Sequence, residues 1–417
     1  MDKMVVVGNG PLQGTVSASG AKNAALPILF STLLAEGEHV FSNMPKLKDI
    51  ESTAALLESL GCETRWDGDK FIVKVSRIQS YEASYDLVRK MRASFLCMGP
   101  LLAKYGEAVV SQPGGCAIGS RPIDLHLEGF KALGAEITQK EGYVHAASKR
   151  LQGANFLFET VTVGGTENVM MAAALAQGRT VLENAAKEPE IVDLAEYLIK
   201  MGAKITGHGT SVIVIDGVDK LHPAEHSIMP DRIEAGTLLI AGAITHGQVT
   251  VEKCVPAHLE TLILKMREAG FKVDTTKDSM TVFKTDSWNA VDITTAPHPL
   301  FATDLQAQFM ALMTVARGTS VITETVFENR FMHVQELIRL GADITPKTRV
   351  AVVRGKPGQL TGAPVMATDL RASASLVLAG LVASGETVVN RIYHLDRGYE
   401  KLEDKLSSLG AKIRRID

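Results

Sequence analysis

The sequence predicts an α/β protein made of repeated units, and three observations lead there. Two glycine-centred landmarks each recur six times along the 417 residues. Between them, apolar helix-like runs alternate with β-branched strands. The composition, 46% hydrophobic and 22% charged, is that of a chain able to bury a sizeable core.

The first landmark is an apolar helical run that ends in glycine and enters a strand. It appears as LLAEGEHVF at Gly37, LLAKYGEAVV at Gly106, ALAQGRTVL at Gly178, AITHGQVTV at Gly247, TVARGTSVI at Gly318 and LVASGETVV at Gly385. The second is an amphipathic helix closing on Gly61, Gly134, Gly202, Gly270, Gly341 or Gly410 before another strand. Both repeat at intervals of 67 to 73 residues. Each glycine suits the position after a helix, where the chain turns through positive φ. A unit is therefore helix, strand, helix, strand, with a further strand in most copies, such as SVIVIDGV and MTVFKT. One open sheet of so many strands would be unusual, which favours two domains of three units with a hinge near residues 227–231.

Charge and cysteine content narrow the function. Lys and Arg number 44 against 47 Asp and Glu, a net charge of -3, so no global field draws the chain to nucleic acid or anionic lipid. No apolar stretch approaches the roughly 18 to 20 residues of a membrane span, and the start lacks a secretory apolar run; a cytoplasmic location is expected. Cys62, Cys97, Cys116 and Cys254 show neither CxxC nor Cys/His spacing, so no metal site or disulfide framework is expected. Three of them lie in or beside apolar segments and read as buried thiols. Cys116 instead sits among Gly114, Gly115 and Gly119 in QPGGCAIGSRPIDLH, beside Arg121, where a cation favours the thiolate. A structural loop with an incidental cysteine is the alternative.

Charged residues recur at one place in the units. Lys22, Arg92, Arg232, Asp304 and Arg371 lie 14 or 15 residues before first-landmark glycines, and Lys48, Arg121 and Arg397 lie 13 before second-landmark ones. These are expected helix N-termini, with Thr303–Gln306 and Thr368–Arg371 read as capping boxes. A cation there opposes the helix dipole unless an anion sits beside it. Lys22 opens a helix apolar on all faces; it either snorkels to solvent or binds a ligand. Asp304 either complements its helix dipole or serves as a general base.

The segments SGAKNAALPIL, PGGCAIGSRPIDLH, KEPEIVDLA, TAPHPLFATDLQAQF, ETVFENRFMHV, MATDLRASASLVLAG and YHLDRGYEKLEDKL together resemble the UDP-N-acetylglucosamine enolpyruvyl (1-carboxyvinyl) transferases of peptidoglycan synthesis. The resemblance runs the length of the chain. It implies the enolpyruvyl-transferase fold: two similar domains, each of three βαβαββ units in an inside-out α/β barrel. Residues 21–229 would form one domain, and 1–20 with 230–417 the other. The hinge would lie near 20 and 230; with cations expected on both sides of the cleft, like charges resist closure until an anion sits between them, so the domains are expected to close over the nucleotide sugar. The implied reaction, the first committed step of the pathway, transfers the enolpyruvyl group of phosphoenolpyruvate to the 3′-hydroxyl of UDP-N-acetylglucosamine and releases phosphate. By the same resemblance Cys116 is the proton donor and the target of fosfomycin, and Asp304 is the base. Lys22, Arg92, Arg121 and Arg397 bind phosphate and carboxylate. Asn23, the run Arg121, Pro122, Ile123, Asp124 and Leu125, the run Thr162, Val163 and Gly164, and Val326 hold the nucleotide sugar, with Asp369 and Arg371 supporting the site. No cofactor or metal is implied, and no nucleic acid or membrane partner. The oligomeric state is left open, and a monomer is compatible with it. Rival readings are enolpyruvyl transfer to shikimate 3-phosphate, an RNA 3′-phosphate cyclase-like enzyme, and a non-catalytic repeat scaffold.

Overall fold

The computed structural model describes residues 2–113 and 123–416. It divides into two compact units, residues 20–113 with 123–229, and residues 2–19 with 230–416. Each unit has its own apolar core. No helix among the described residues is long and apolar enough to cross a membrane.

The strands form six four-stranded sheets, three in each unit, with one recurring plan. The strand that follows a first-landmark glycine, such as Gly37–Ser42, takes a short parallel edge strand on one side. On the other side it pairs antiparallel with a second strand, here Lys70–Val75. That strand in turn carries the one that follows the second-landmark glycine, Glu63–Asp67. The further strand expected in most copies is present in all six. In the last unit it comes from the other end of the chain: Lys3–Val7 lies between Glu386–Asn390 and Lys412–Ile416, antiparallel to both.

The edge strands close each unit in the same way. Gln13–Ser17 runs parallel to Gln248–Glu252, and Glu225–Ser227 runs parallel to Gly37–Ser42. Both segments then cross to the other unit at 19–20 and 229–230. Beside the crossing the Ala21 amide donates to Met229 O (2.7 Å) and the Asp231 amide to Ser19 O (2.8 Å). Glu234 and Lys405 hold Ser19, and Asp193 holds the Met229 amide.

Helices occupy the interior and sheets the outside. Lys22–Ser31, Met98–Tyr105 with its preceding 3-10 turn Arg92–Cys97, and Val163–Ala173 pack together in the first unit. Arg232–Ile244, Gln306–Thr314 and Ala372–Gly380 do so in the second. Most of their small and aliphatic residues are buried, as an interior helix requires, with Ala103, Val163 and Gly164 partly exposed. The amphipathic helices, among them Lys48–Leu60 and Pro189–Lys200, pack one apolar side on the central helices and neighbouring strands.

The landmark glycines adopt positive φ at every position except Gly247. There His246 takes the left-handed conformation, with φ 55°. Gly247 is required for a different reason: a Cβ on it would lie 2.0 Å from Leu12 O, which accepts the Gln248 amide at 3.0 Å. At Gly385, φ is 90° and a Cβ would meet nothing within 4 Å. Gly385→Ala should therefore carry only the left-handed strain of about 1–2 kcal/mol. Gly247→Ala should destabilise more, because the chain's N-terminal segment must shift, and urea unfolding of the two variants checks the order.

Candidate active site

In the first unit, Lys22 is the first residue of Lys22–Ser31. It does not snorkel: it is 6% exposed, and its Nζ lies 3.1 Å from Oδ2 of the equally buried Asp49, in the first turn of Lys48–Leu60. Asn23 follows, half-buried. Arg92 opens a 3-10 turn rather than an α-helix.

Thr162 caps Val163–Ala173, its Oγ1 accepting from the Gly165 amide at 3.2 Å, so Val163 and Gly164 form the first turn. His126 backs that turn, since a Cβ on Gly164 would stand 3.3 Å from its Cε1. A hydrogen-bond chain fixes this imidazole. The Gly99 amide can only donate, which orients Asn168 Oδ1 toward it at 2.8 Å. Asn168 Nδ2 then donates to Phe95 O and, at 3.1 Å, to His126 Nδ1. The ring proton therefore sits on Nε2. Burial, reinforced by the charge of Arg92, pushes the His126 pKa down to about 3. Ile123 leads into Asp124–Ala132, where Asp124 and Leu125 are the first two residues. Ile123 and Asp124 line a cleft of about 440 Å³ with Gln112 and Lys131. Cys116, Arg121 and Pro122 lie outside the described residues.

In the second unit, one guanidinium organises the site. Arg371 is 1% exposed; its NH2 lies 3.2 Å from Asp231 Oδ2 and its Nε 3.6 Å from Asp304 Oδ2. Its NH1 donates to Gly398 O at 3.0 Å, and Tyr399 lies beneath it with the ring centroid 5.1 Å away. Burial works against its charge, but Asp231, Tyr399 and Asp304 outweigh that and hold it protonated. Asp231 also caps Arg232–Ile244, its Oδ1 accepting from the Ile233 and Glu234 amides.

Asp304 sits in the 3-10 turn Thr303–Leu305, directly before Gln306–Thr314. Besides Arg371 it meets Arg330, whose NH2 donates to Asp304 Oδ1 at 2.6 Å. Arg330 is buried, a cost that the carboxylates of Asp304, Asp369 and Glu324 overcome. Val326 lies four residues before it, and its side chain is exposed.

Three expectations need correction. Thr303 does not form a capping box: its hydroxyl donates to Glu324 Oε2 and accepts from Arg330 NH1. At Ala372–Gly380 the capping acceptor is Asp369, whose Oδ1 takes the Arg371 and Ala372 amides at 2.9 Å, rather than Thr368. Arg397 is not at a helix N-terminus. It ends the 3-10 turn Ile392–Arg397, and the next helix begins at Leu402. In that turn burial, then Arg397, lowers the pKa of His394.

The structure thus brings Asp304, Asp369 and Arg371 together in one unit, and places Lys22 and Asn23 on a shared helix start in the other. Sequence reasoning missed Asp49, Asp231, Glu324 and Arg330. Arg330 stands inside ETVFENRFMHV, and Asp231 precedes a helix start in PDRIEAG, so position alone could have raised both. Cys62, Cys97 and Cys254 are buried, their thiols pushed up to about 12, 12 and 11, chiefly by desolvation. Among the described residues no group of three or more His, Cys, Asp or Glu could hold a metal.

Residues 6–406 match the family described as EPSP synthase (3-phosphoshikimate 1-carboxyvinyltransferase). A crystal structure of an enolpyruvyl transferase from Streptomyces tendae superposes with a TM-score of 0.89 at 25% identity, covering 99% of this chain and 98% of that one. Six small sheets around buried helices are the fold of this class, and the chain is an enolpyruvyl transferase. It is 86% identical over 414 residues, 99% of this chain and 100% of the relative, to the UDP-N-acetylglucosamine 1-carboxyvinyltransferase of Bdellovibrio bacteriovorus. Identity to the Myxococcus xanthus enzyme of the same name is 58% over 418 residues, 100% of this chain and 99% of the relative. The chain belongs to the UDP-N-acetylglucosamine 1-carboxyvinyltransferases.

The buried neutral His126 sets a pH dependence. Its pKa is lower in the folded state than the ordinary 6.5, so the stability it supports is complete above that value and is lost as pH falls toward 3. Between pH 7 and 5 the loss should be about 2 kcal/mol. Urea unfolding at both pH values should show a shallower loss in His126→Gln than in the unsubstituted protein.

Proposed function

We propose that this enzyme moves the enolpyruvyl group of phosphoenolpyruvate to the 3′-hydroxyl of UDP-N-acetylglucosamine by addition followed by elimination, with Asp304 and Cys116 managing the protons. The observation that carries the reading is Asp304: an acid at a helix start, side chain 23% exposed, with a guanidinium on each carboxylate oxygen. A merely dipole-complementing acid needs neither arginine.

In the addition, the sugar hydroxyl oxygen bonds to C2 of phosphoenolpyruvate and its proton passes to Asp304. The Cys116 thiol delivers a proton to C3. In the elimination the C2–O bond to phosphate breaks, phosphate leaves with the electron pair and takes up the proton that Asp304 had gained, and a proton passes from C3 to the Cys116 thiolate, which restores both the double bond and the thiol. Lys22, Arg92, Arg121 and Arg397 would meet the phosphate and carboxylate of the donor, which is a compact polyanion near neutral pH. Asn23, the stretch 121–125, Thr162 to Gly164 and Val326 would hold the nucleotide sugar, with Asp369 and Arg371 behind Asp304. The same reading puts the enzyme in the cytoplasm.

Phosphate release should require phosphoenolpyruvate and UDP-N-acetylglucosamine together, and shikimate 3-phosphate should not replace the sugar. Release with shikimate 3-phosphate alone as acceptor would overturn the reading. Asp304→Asn should lower kcat by about 10²–10⁴-fold while changing UDP-N-acetylglucosamine binding far less. Equal losses would make Asp304 a binding residue only.

Cys116→Ser should nearly abolish turnover, whereas Cys116→Asp, which retains an acid, should keep substantial activity. Fosfomycin should alkylate Cys116 in the folded enzyme, and peptide mapping should find Cys62, Cys97 and Cys254 unlabelled, since buried thiols pushed to about 11 or 12 hold almost no thiolate at neutral pH.

A further inference from the structure

Glu324 follows the strand Gly318–Thr323 and is 1% exposed. A buried carboxylate needs donors, and four converge on it from three segments. Oε1 accepts from Thr295 Oγ1 (2.8 Å), the Val326 amide (2.8 Å) and the Phe327 amide (3.1 Å), and Oε2 accepts from Thr303 Oγ1 (2.8 Å). Thr295 also accepts the Thr325 amide at 3.0 Å, tying the same turn from its other side.

The polarity of this cluster follows from proton counting. A carboxylate only accepts, so the single hydroxyl proton of Thr303 is committed to Glu324. The Thr303 lone pairs are then left for Arg330 NH1, which donates to them at 2.8 Å. With that end fixed, Arg330 NH2 donates to Asp304 Oδ1 at 2.6 Å. Arg330 itself leaves the turn that Glu324 holds through Val326 and Phe327.

We propose that Glu324 is a positioning residue for the transfer reaction. It holds the 325–327 turn and sets the direction of the Thr303 hydroxyl, and so locks Arg330 against Asp304. The inference rests on Asp304 being the reacting base. Glu324 touches no reacting atom; it acts through Thr303 and Arg330.

Glu324→Gln tests the polarity with almost no change of shape. Gln offers one acceptor and one NH2. If the oxygen keeps the two amides, the NH2 faces Thr303, whose hydroxyl must then accept and turn its proton toward Arg330, another donor. Arg330 is pushed off and Asp304 loses its clamp. Since misplacing a reacting group by about 1 Å can cost 10²-fold, kcat should fall at least about tenfold, with KM for UDP-N-acetylglucosamine changing far less. Thr303→Val should show the same fall and Thr303→Ser should restore wild-type turnover, so the test survives if Glu324→Gln fails to fold.

Among the described residues the charged groups that meet Asp304 include Arg330 and Arg371, with Asp231 beside Arg371, with Asp369, Glu324 and the buried His333 beside Arg330, and with Arg391, Arg397 and Asp369 facing His394. Loss of Arg330 from this set should move the acid limb of the kcat profile to higher pH in Thr303→Val. A structure of either variant should show Arg330 NH2 beyond hydrogen-bond reach of Asp304. Wild-type kcat and pH profile in both variants, an unmoved Arg330, or Thr303→Ser as impaired as Thr303→Val would each overturn the proposal. An active Asp304→Asn would instead overturn the base assignment, while the displacement of Arg330 would still report on the clamp.

Discussion

One buried guanidinium joins three repeats. Arg371 begins the central helix of the sixth unit, its NH2 reaches the Asp231 carboxylate that caps the central helix of the fourth, and its Nε faces Asp304 at the start of the fifth. These helices pack against one another as well as against their sheets, and the ion pairs show that the three starts meet at one end, where their positive dipole ends are brought close together. Such an arrangement repels itself unless anions are placed there. Asp231, Asp304 and Asp369 supply them, two by accepting backbone amides of helix starts. Removing one partner of a buried pair of this kind costs about 3–5 kcal/mol, comparable with a large part of a domain's stability. The site is therefore part of what holds the second unit together.

The first unit meets the same constraint with other residues. Lys22 opens its first central helix and is neutralised by Asp49 from the neighbouring amphipathic helix. Thr162 caps another central helix with a hydroxyl, without any charge. Repetition of fold thus does not impose repetition of charge. The helix starts are equivalent places in the backbone, and each can carry a cation, an acid or a neutral cap provided the local sum is compensated.

The six-fold repeat was legible because it rests on local signals: apolar period, a glycine after each helix, β-branched strands. What escaped is what pairs residues far apart in sequence. Nothing in KMVVV says that it completes a sheet with residues 386–390 and 412–416, and nothing in EHS at 225–227 says that it edges the strand at 37–42. Gly247 looked like its five counterparts, yet its need for glycine comes from Leu12, a neighbour 235 residues away. The site was legible to the same degree. Helix-start spacing found Lys22, Asp304 and Arg371, and misplaced Arg397, whose segment forms a 3-10 turn. Spacing could not find Arg330, Glu324 or Asp49, because each enters the site through a side chain from another segment. Thr303 and Thr368 matched a capping pattern, but the oxygen of the first accepts from Arg330 and Asp369 already served the helix of the second.

The balance of charge around Asp304 bears on how an anionic substrate could be accommodated there. Among the described residues Arg330 and Arg371 face Asp231, Asp304, Asp369 and Glu324. Those groups alone would not attract a polyanion, and under the proposed reading its capture rests on Lys22, Arg92, Arg121 and Arg397 and on the helix dipoles. Under the proposed reading the balance changes during the reaction. When Asp304 takes the hydroxyl proton it becomes neutral, and one negative charge facing the two guanidiniums is removed while Asp231, Asp369 and Glu324 stay in place. That change coincides with the formation of the tetrahedral intermediate, which still carries its phosphate and carboxylate. Stabilisation that appears only when charge must be held is worth more to the rate than equal binding of the ground state. An acid clamped between two arginines is a weak base in isolation, and this coupling gives the clamp a physical purpose.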